Sequence, residues 1–245
     1  VSFLDDFLKI NDISDKSING LQVQGTDRIT RIGLATDAAL ATYRKAVDAG
    51  CQMLVVHHGL IWDGIRSVTG RNFDHLKFLI GNGLNLYAAH LPLDLHAEVG
   101  NNAVLAGMAG LSKIKPFGDY YGITIGYSGT LKTPATVAEL EAVYARQLDC
   151  TPRTLAFGPE KISTVAIISG GGTGLLEEAI TRKMDCLVTG EGTHEKFHQA
   201  AEGRIHLMYL GHYKSETVGV KALGEVLKQR WSDLDTVFID EPTGF

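Results

Sequence analysis

Short apolar runs alternate with amphipathic stretches along this chain of 245 residues. Runs of about four to six apolar or β-branched residues predict strands, and apolar positions that recur every three or four residues predict helices. The predicted strands are residues 31–36, 53–56, 84–89, 164–168, 186–189 and 205–210, with a more exposed strand pair over 120–131. The predicted helices are residues 38–49, 73–80, 135–148, 175–183, 195–201 and 216–229. Strands that alternate with helices in this way predict an α/β fold with mixed, largely parallel sheets and flanking helices.

Two segments of the chain are alike. Residues 75–78 (HLKF) begin a predicted helix that leads into a strand and then to His90, and residues 194–197 (HEKF) do the same before His212. This likeness predicts an internal duplication that gives two related α/β lobes. We expect the first lobe over residues 1–115, with the C-terminal segment returning to it, and the second over 116–245, as a single compact unit without an inserted domain. Ligands of α/β sheets bind at the carboxyl ends of the strands, so we expect one site between the lobes.

Composition restricts the class of protein. The formal net charge of −5 argues against extensive binding to nucleic acid or to an anionic membrane, and 44% hydrophobic residues can form a sizeable core. No apolar stretch approaches the ~18 residues of a membrane helix, and the acidic N-terminus does not resemble a signal peptide. Cys51, Cys150 and Cys186 are far apart in the sequence, which is typical of reduced thiols. These features predict a cytoplasmic protein.

The candidate chemistry depends on imidazole and carboxylate groups. The candidate metal ligands are His57, His58, Asp94, His212 and Glu216. Such groups without thiolate suit a divalent transition metal at a catalytic or exchangeable site, and Zn, Fe, Mn, Co and Ni all remain open. His57 and His58 end an apolar strand, where neighbouring side chains point to opposite sides. Two rings of this kind reach two different points more easily than one, which favours two metal ions.

Each of these residues also has an ordinary structural explanation. Asp94 follows Pro92 in a turn, where aspartate commonly accepts hydrogen bonds from backbone donors. His212 and Glu216 share one face if they are helical, and Glu216 would then favour the first turn because it complements the helix dipole. The metal interpretation therefore depends on the residues taken together.

Several short motifs occur in an order that resembles the GTP cyclohydrolase I type 2 family, also called the Nif-three-like dinuclear metal-binding family. The motifs are residues 19–25 (NGLQVQG), 57–59 (HHG), 90–94 (HLPLD), 100–102 (GNN), 169–174 (SGGGTG), 189–191 (TGE) and 211–216 (GHYKSE). The resemblance covers nearly the whole chain. It implies that the five candidate ligands hold two metal ions, and that the protein forms a toroidal homohexamer whose metal sites face an internal cavity.

Two further residues are candidates for the chemistry. Five ligands fill two metal sites only if one carboxylate bridges them, and we assign that bridge to Glu216 as a hypothesis. Glu191 corresponds, through the duplication, to the histidine pair and is a candidate general base. His90 is a candidate proton shuttle or hydrogen-bond partner behind the ligands.

Three functions are compatible with this sequence. The first is a metal-dependent hydrolase of the GTP cyclohydrolase type, acting on a nucleotide or another phosphate-bearing small molecule. The second is a non-enzymatic metal chaperone or insertase. The third is a ring-shaped scaffold for nucleic acid or protein, for which Arg66, Arg71 and Lys77 would supply the basic surface. Trp62 either stacks on a base or covers the site, and the glycine loop 170–174 either holds phosphate or forms a tight turn.

Overall fold

The computed structural model describes residues 1–65 and 67–245 and divides into two compact units. Unit 1 comprises Val1–Val99 and Gly219–Glu241, and unit 2 comprises Gly100–Val218 and Pro242–Phe245. Each unit contains one mixed sheet with flanking helices. In the part of the chain that is described, no helix is long and apolar enough to cross a membrane.

Unit 1 is built on a five-stranded sheet. Its elements are α1 (Ser2–Leu8), β1 (Gly20–Val23), β2 (Arg31–Asp37), α2 (Leu40–Asp48), β3 (Met53–His58), α3 (Gly70–Gly81), β4 (Asn85–Ala88), α4 (Leu91–Leu95) and β11 (Asp235–Phe238). The strand order is β1-β4-β3-β2-β11. Strands β4, β3, β2 and β11 pair in parallel, and only β1 among the described strands of this sheet pairs antiparallel, with β4.

The core of unit 1 covers both faces of this sheet. Met53 and Val55 of β3 belong to one buried cluster, whereas Leu54 and Val56 belong to the other. Each such side chain contributes roughly 1.5–3 kcal/mol when fully buried. Because both faces are covered, β3 is an unbroken apolar run up to its last two residues. The first polar side chains of β3 therefore come where the strand leaves the core.

Unit 2 is built on a six-stranded sheet. Its elements are α5 (Asn101–Met108), β5 (Leu111–Tyr120), β6 (Ile123–Ala135), α6 (Val137–Leu148), β7 (Arg153–Ala156), β8 (Ile162–Ile167), a 3₁₀ turn (Gly172–Leu175), α7 (Leu176–Thr181), β9 (Cys186–Thr189), α8 (Lys196–Gly203) and β10 (His206–Tyr209). The strand order is β5-β6-β8-β9-β10-β7. Helix α9 (His212–Arg230) begins in unit 2, and its residues from 219 onward are part of unit 1.

The sheet of unit 2 is also buried on both faces. Val165 and Val188 lie in one cluster and Ala166 and Leu187 in the other. Helix α6 begins with a capping box, in which Thr136 accepts from the backbone N–H of Glu139 and the Glu139 side chain accepts from the backbone N–H of Thr136. Helix α6 begins two residues after its predicted start, because Ala135 still belongs to β6, and β8 begins two residues before its predicted start.

The α/β class with mixed sheets is confirmed. The sheet of unit 1 is largely parallel, whereas the described sheet of unit 2 has three antiparallel pairings and two parallel ones. Part of the difference comes from the β5–β6 hairpin. Its two-residue turn, Tyr121-Gly122, has positive φ angles of 53° and 85°, which match the right-handed twist of a tight hairpin. Each sheet has three successive parallel strands linked by helices, β2-β3-β4 and β8-β9-β10. The duplication itself stays a prediction.

Candidate metal centre

The predicted site residues lie where parallel strands end. In unit 1, His57 and His58 are the last residues of β3, and His90 follows β4 by two residues. In unit 2, Glu191 follows β9 and His212 follows β10, where it begins α9. The carboxyl edge of each sheet is the edge at which α/β proteins bind ligands. The ionisable side chains of the candidate site therefore lie at or just after the carboxyl ends of these strands.

His57 is fully buried and oriented by the backbone. Its Nδ1 lies 3.0 Å from the carbonyl oxygen of Ala89. A carbonyl can only accept, so Nδ1 carries the proton and Nε2 carries the lone pair. That Nε2 lies 3.6 Å from Oδ2 of Asp94, which is 8% exposed on the short helix α4. An imidazole lone pair therefore faces a nearby carboxylate, as two ligands of one metal ion would.

His58 is oriented by a carboxylate that the sequence reasoning missed. Its Nδ1 lies 2.8 Å from Oδ1 of Asp37, the last residue of β2. Asp37 and His58 are register partners across the parallel β2–β3 pair. The available signal was the position of Asp37 at the end of a predicted strand, next to the strand that ends in the histidine pair. With Asp37 accepting a hydrogen bond from Nδ1, Nε2 of His58 is the nitrogen suited to a metal.

Replacing Asp37 by asparagine should weaken metal binding without removing a ligand. The amide no longer favours the tautomer with the lone pair on Nε2, and loss of such a partner typically costs 10–100-fold in metal affinity. The apparent Kd for Zn²⁺, measured against a chromophoric chelator, tests this. Asp27→Asn, an exposed site in the same unit, is the matched control. Equal affinities for the two variants would contradict the role of Asp37.

His90 joins the two histidines of β3. Its ring centroid lies 5.1 Å from that of His57 and 5.7 Å from that of His58. The three residues offer ligand atoms that all lie within 4.8 Å of one another. The rings of Trp62 and His90 lie edge to face, with their centroids 4.9 Å apart. Trp62 donates its indole N–H to the carbonyl of Gly59. The structure thus places His90 beside the candidate ligands and Trp62 against it.

His212 and two carboxylates form the cluster of unit 2. Nε2 of His212 lies 3.1 Å from Oε2 of Glu216, one turn along α9, and Nδ1 lies 3.0 Å from Oε1 of Glu191. Glu216 is buried and Glu191 is exposed. The hydrogen bond with Glu216 raises the pKa of His212 to about 9; Glu191 adds to the shift and burial opposes it. Without metal, His212 is therefore protonated at pH 7, and a metal ion bound at Nε2 must displace that proton.

The glycine loop holds Glu216 by its lack of side chains. A Cβ on Gly170 would clash with Oε1 of Glu216, and its φ of +58° suits glycine. The N–H of Gly170 donates to the hydroxyl of Ser215, and that of Gly172 donates to the hydroxyl of Thr189. Because these donors are used inside the fold, the loop is a tight turn that makes room for the carboxylate.

The donor set fits a divalent transition metal. Imidazole nitrogens and carboxylate oxygens are the groups present, with the outer nitrogens of the rings already bonded to oxygen acceptors. Gly170 packs closely against Glu216, and the Glu216 carboxylate lies beside the His212 ring. His57, His58 and Asp94 would hold metal in unit 1, and His212 and Glu216 in unit 2.

Comparison with known proteins gives a consistent identification. A family model described as Duf34/NIF3 (NGG1p interacting factor 3) matches residues 1–244. A Pyrococcus horikoshii protein named "GTP cyclohydrolase 1 type 2 homolog" is 46% identical over 245 residues, covering 100% of this chain and 97% of that protein. A protein of the same name from Archaeoglobus fulgidus is 43% identical over 243 residues, covering 99% of this chain and 97% of that protein.

Solved structures share the fold. A crystal structure of a Thermus thermophilus protein superposes with a TM-score of 0.92 at 39% sequence identity, covering 100% of this chain and 98% of that one. Reduced HcgD from Methanocaldococcus jannaschii superposes with a TM-score of 0.85 at 28% identity, covering 98% and 96%. Both the family model and the relatives span essentially the full length. This chain therefore belongs to the DUF34/NIF3 family.

Proposed function

We propose that this protein binds two divalent metal ions and uses them to hydrolyse a nucleotide or another phosphate-bearing small molecule. The observation that carries the proposal is that three imidazoles already have an oxygen acceptor on Nδ1. The acceptors are Ala89 for His57, Asp37 for His58 and Glu191 for His212. Metal-binding histidines are held in this way, so that the other nitrogen is aimed before the ion arrives. A set of solvated histidines would not need such partners.

The ligand set also suits an anionic substrate. The five ligands are neutral imidazoles and two carboxylates, which leave net positive charge when two divalent ions are bound. Bound metal would lower the pKa of water and polarise a phosphoryl oxygen. Glu216, held between Gly170 and His212, is the carboxylate that we propose to bridge the two ions. The chain itself supplies the aimed nitrogens, and the two ions would supply the excess of positive charge.

Two residues are proposed to handle protons. Glu191 is exposed and lies against His212, where its carboxylate can accept a proton from an incoming group or orient the ring. His90 is bonded through Nδ1 to the carboxylate of Asp15, and its ring lies beside those of His57 and His58. Because it is 21% exposed at its side chain, it can reach a substrate as well as the buried cluster.

Replacing Glu191 by glutamine separates its two roles. We expect the variant to keep its metal and to hydrolyse GTP or bis(p-nitrophenyl) phosphate on the order of 100-fold more slowly than the parent, because a general base contributes about that much or more. Metal content is measured by elemental analysis and turnover by product formation. Glu195→Gln, exposed and four residues further along, is the matched control. Loss of metal in the Glu191 variant would instead place Glu191 in metal binding.

A metal chaperone is the second candidate. The observation that favours it is partial exposure, since the side chains of His58 and His212 are 22% and 28% exposed. An exposed ring lets an ion enter and leave without opening the fold. Rapid transfer of bound Zn²⁺ to a chelator, together with no turnover of either probe in the loaded protein, would favour the chaperone over the hydrolase.

No observation on the described residues favours the scaffold. Lys77 lies over the ring of Phe73 at 5.6 Å, and Arg66 lies outside the described residues. The toroidal homohexamer and the cytoplasmic location stay predictions. Light scattering after gel filtration measures the first directly.

A further inference from the structure

A buried carboxylate lies behind His90. The side chain of Asp15 is 3% exposed and sits in the irregular segment between α1 and β1. Both of its oxygens lie 3.0 Å from Nδ1 of His90. It also accepts hydrogen bonds from the backbone N–H groups of Ser17 and Leu91 and from the side-chain amide of Asn19. Four residues thus donate hydrogen bonds to one buried carboxylate, which is therefore held in a fixed orientation.

The protonation of this pair follows from its surroundings. Burial alone would raise the pKa of Asp15, but the hydrogen bonds from His90, Asn19 and Leu91 lower it to about 2. Asp15 is therefore ionised at neutral pH and can only accept. The proton shared with His90 then resides on Nδ1 of the ring, so the neutral ring has its lone pair on Nε2.

The backbone of His90 is fixed from the same segment. Its N–H donates to Oδ1 of Asn19 at 2.8 Å, while the following N–H, that of Leu91, donates to Asp15. Trp62 packs against the ring. An aspartate that only stabilises a turn accepts hydrogen bonds from nearby backbone N–H groups, as Asp15 does from that of Ser17. The contact of both carboxylate oxygens with a ring 75 residues away is additional to that need.

We propose that Asp15 is a positioning residue that holds His90 in the Nδ1–H tautomer, so that Nε2 acts as a hydrogen-bond acceptor beside His57 and His58. The role parallels that of Asp37 behind His58, but it serves a ring to which we assign proton transfer. The inference rests on the proposed function in one respect only, namely that Nε2 of His90 takes part in proton transfer. The tautomer and the metal content are independent of turnover.

The test compares Asp15→Asn with His90→Gln and the double variant in the metal-loaded protein. In the parent, the ring N–H bonded to a carboxylate should give a proton resonance far downfield of the amide region. We expect that resonance to disappear in both single variants and to persist in Asp37→Asn, while both single variants keep the metal content of the parent. Turnover of bis(p-nitrophenyl) phosphate should fall on the order of tenfold to a hundredfold in Asp15→Asn.

The double variant distinguishes positioning from a general structural effect. If Asp15 acts through His90, the double variant is no slower than His90→Gln, with kcat reduced and KM little changed. Losses that multiply, or metal loss in either single variant, would overturn the proposal. Persistence of the His90 resonance in Asp15→Asn would overturn it as well.

Two further measurements keep the proposal testable. If Asp15→Asn does not fold, ¹⁵N-labelled histidine reports the tautomer of His90 in the parent, with His90→Gln giving the assignment. A lone pair on Nδ1 would then overturn the proposal. If the parent shows no turnover at all, the hydrolase proposal fails, whereas the resonance and metal measurements still decide the role of Asp15.

Discussion

Replacing Glu216 by alanine is expected to remove bound metal from the protein. Glu216 is buried, lies 3.1 Å from Nε2 of His212 and is the carboxylate that we propose to bridge two ions. Losing a bridge affects both ions, so the affinity should fall by more than the 10–100-fold typical of losing a partner behind a ligand. Elemental analysis after dialysis against metal-free buffer measures the result. The pKa of His212, which Glu216 raises, should fall in the same variant.

The matched control for this change lies on the same helix. Glu225 is exposed on α9 and pairs with Lys228, so Glu225→Ala should leave metal content unchanged. Thermal unfolding of both metal-free variants shows whether the fold is kept. A folded Glu216→Ala protein that retains the metal content of the parent would remove Glu216 from the ligand set.

Replacing Gly170 by alanine is expected to destabilise the fold and to weaken metal binding. The new Cβ would clash with Oε1 of Glu216 and lie 3.2 Å from Nε2 of His212, in a backbone conformation with φ of +58°. A left-handed conformation costs an L-residue about 1–2 kcal/mol, and the clash adds to it. We therefore expect an unfolding free energy reduced by about 2 kcal/mol or more and metal content well below that of the parent.

Gly174 provides the control for Gly170. It lies in the same glycine loop, within the 3₁₀ turn, and a Cβ there would meet nothing within 4 Å. Gly174→Ala should change the unfolding free energy by no more than about 1 kcal/mol and leave metal content intact. Urea unfolding of the two variants, with and without Zn²⁺, gives both quantities. Equal behaviour of the two alanine variants would contradict the close packing around Glu216.

The sequence pattern predicts the parts of the fold that are buried on both faces. The apolar runs of β3 and β9 are continuous because each strand faces apolar side chains on both sides. The strand pair predicted over 120–131 is instead formed by Leu111–Tyr120 and Ile123–Ala135, so most of its first strand lies before the predicted range. Strands β1, β7 and β11 were missed. Each has only four residues and lies at an edge of its sheet, where little burial marks it in the sequence. β11 pairs with β2 across about 200 residues, a contact that local patterns do not report.

The candidate site shows the same division between local features, which the sequence predicts, and long-range contacts, which it does not. Residue chemistry together with the ordered motifs that resemble the family points to five candidate ligands, which stay predictions: His57, His58, Asp94, His212 and Glu216. Two of the carboxylates behind the rings, Asp37 and Asp15, were not predicted. Asp37 reaches its histidine only through the register of two parallel strands, and Asp15 reaches its own from 75 residues away. Such contacts exist only once the sheet has formed.

The structure and the sequence together support the proposal of a metal-dependent function. The central claim of that proposal is that the protein binds metal. The most direct test is elemental analysis of the protein purified without added metal or chelator, followed by reconstitution with Zn²⁺, Mn²⁺ or Fe²⁺. We expect about two equivalents of one divalent metal per chain, as in two-metal hydrolytic sites. No bound metal in the parent protein, even after reconstitution, would contradict the account.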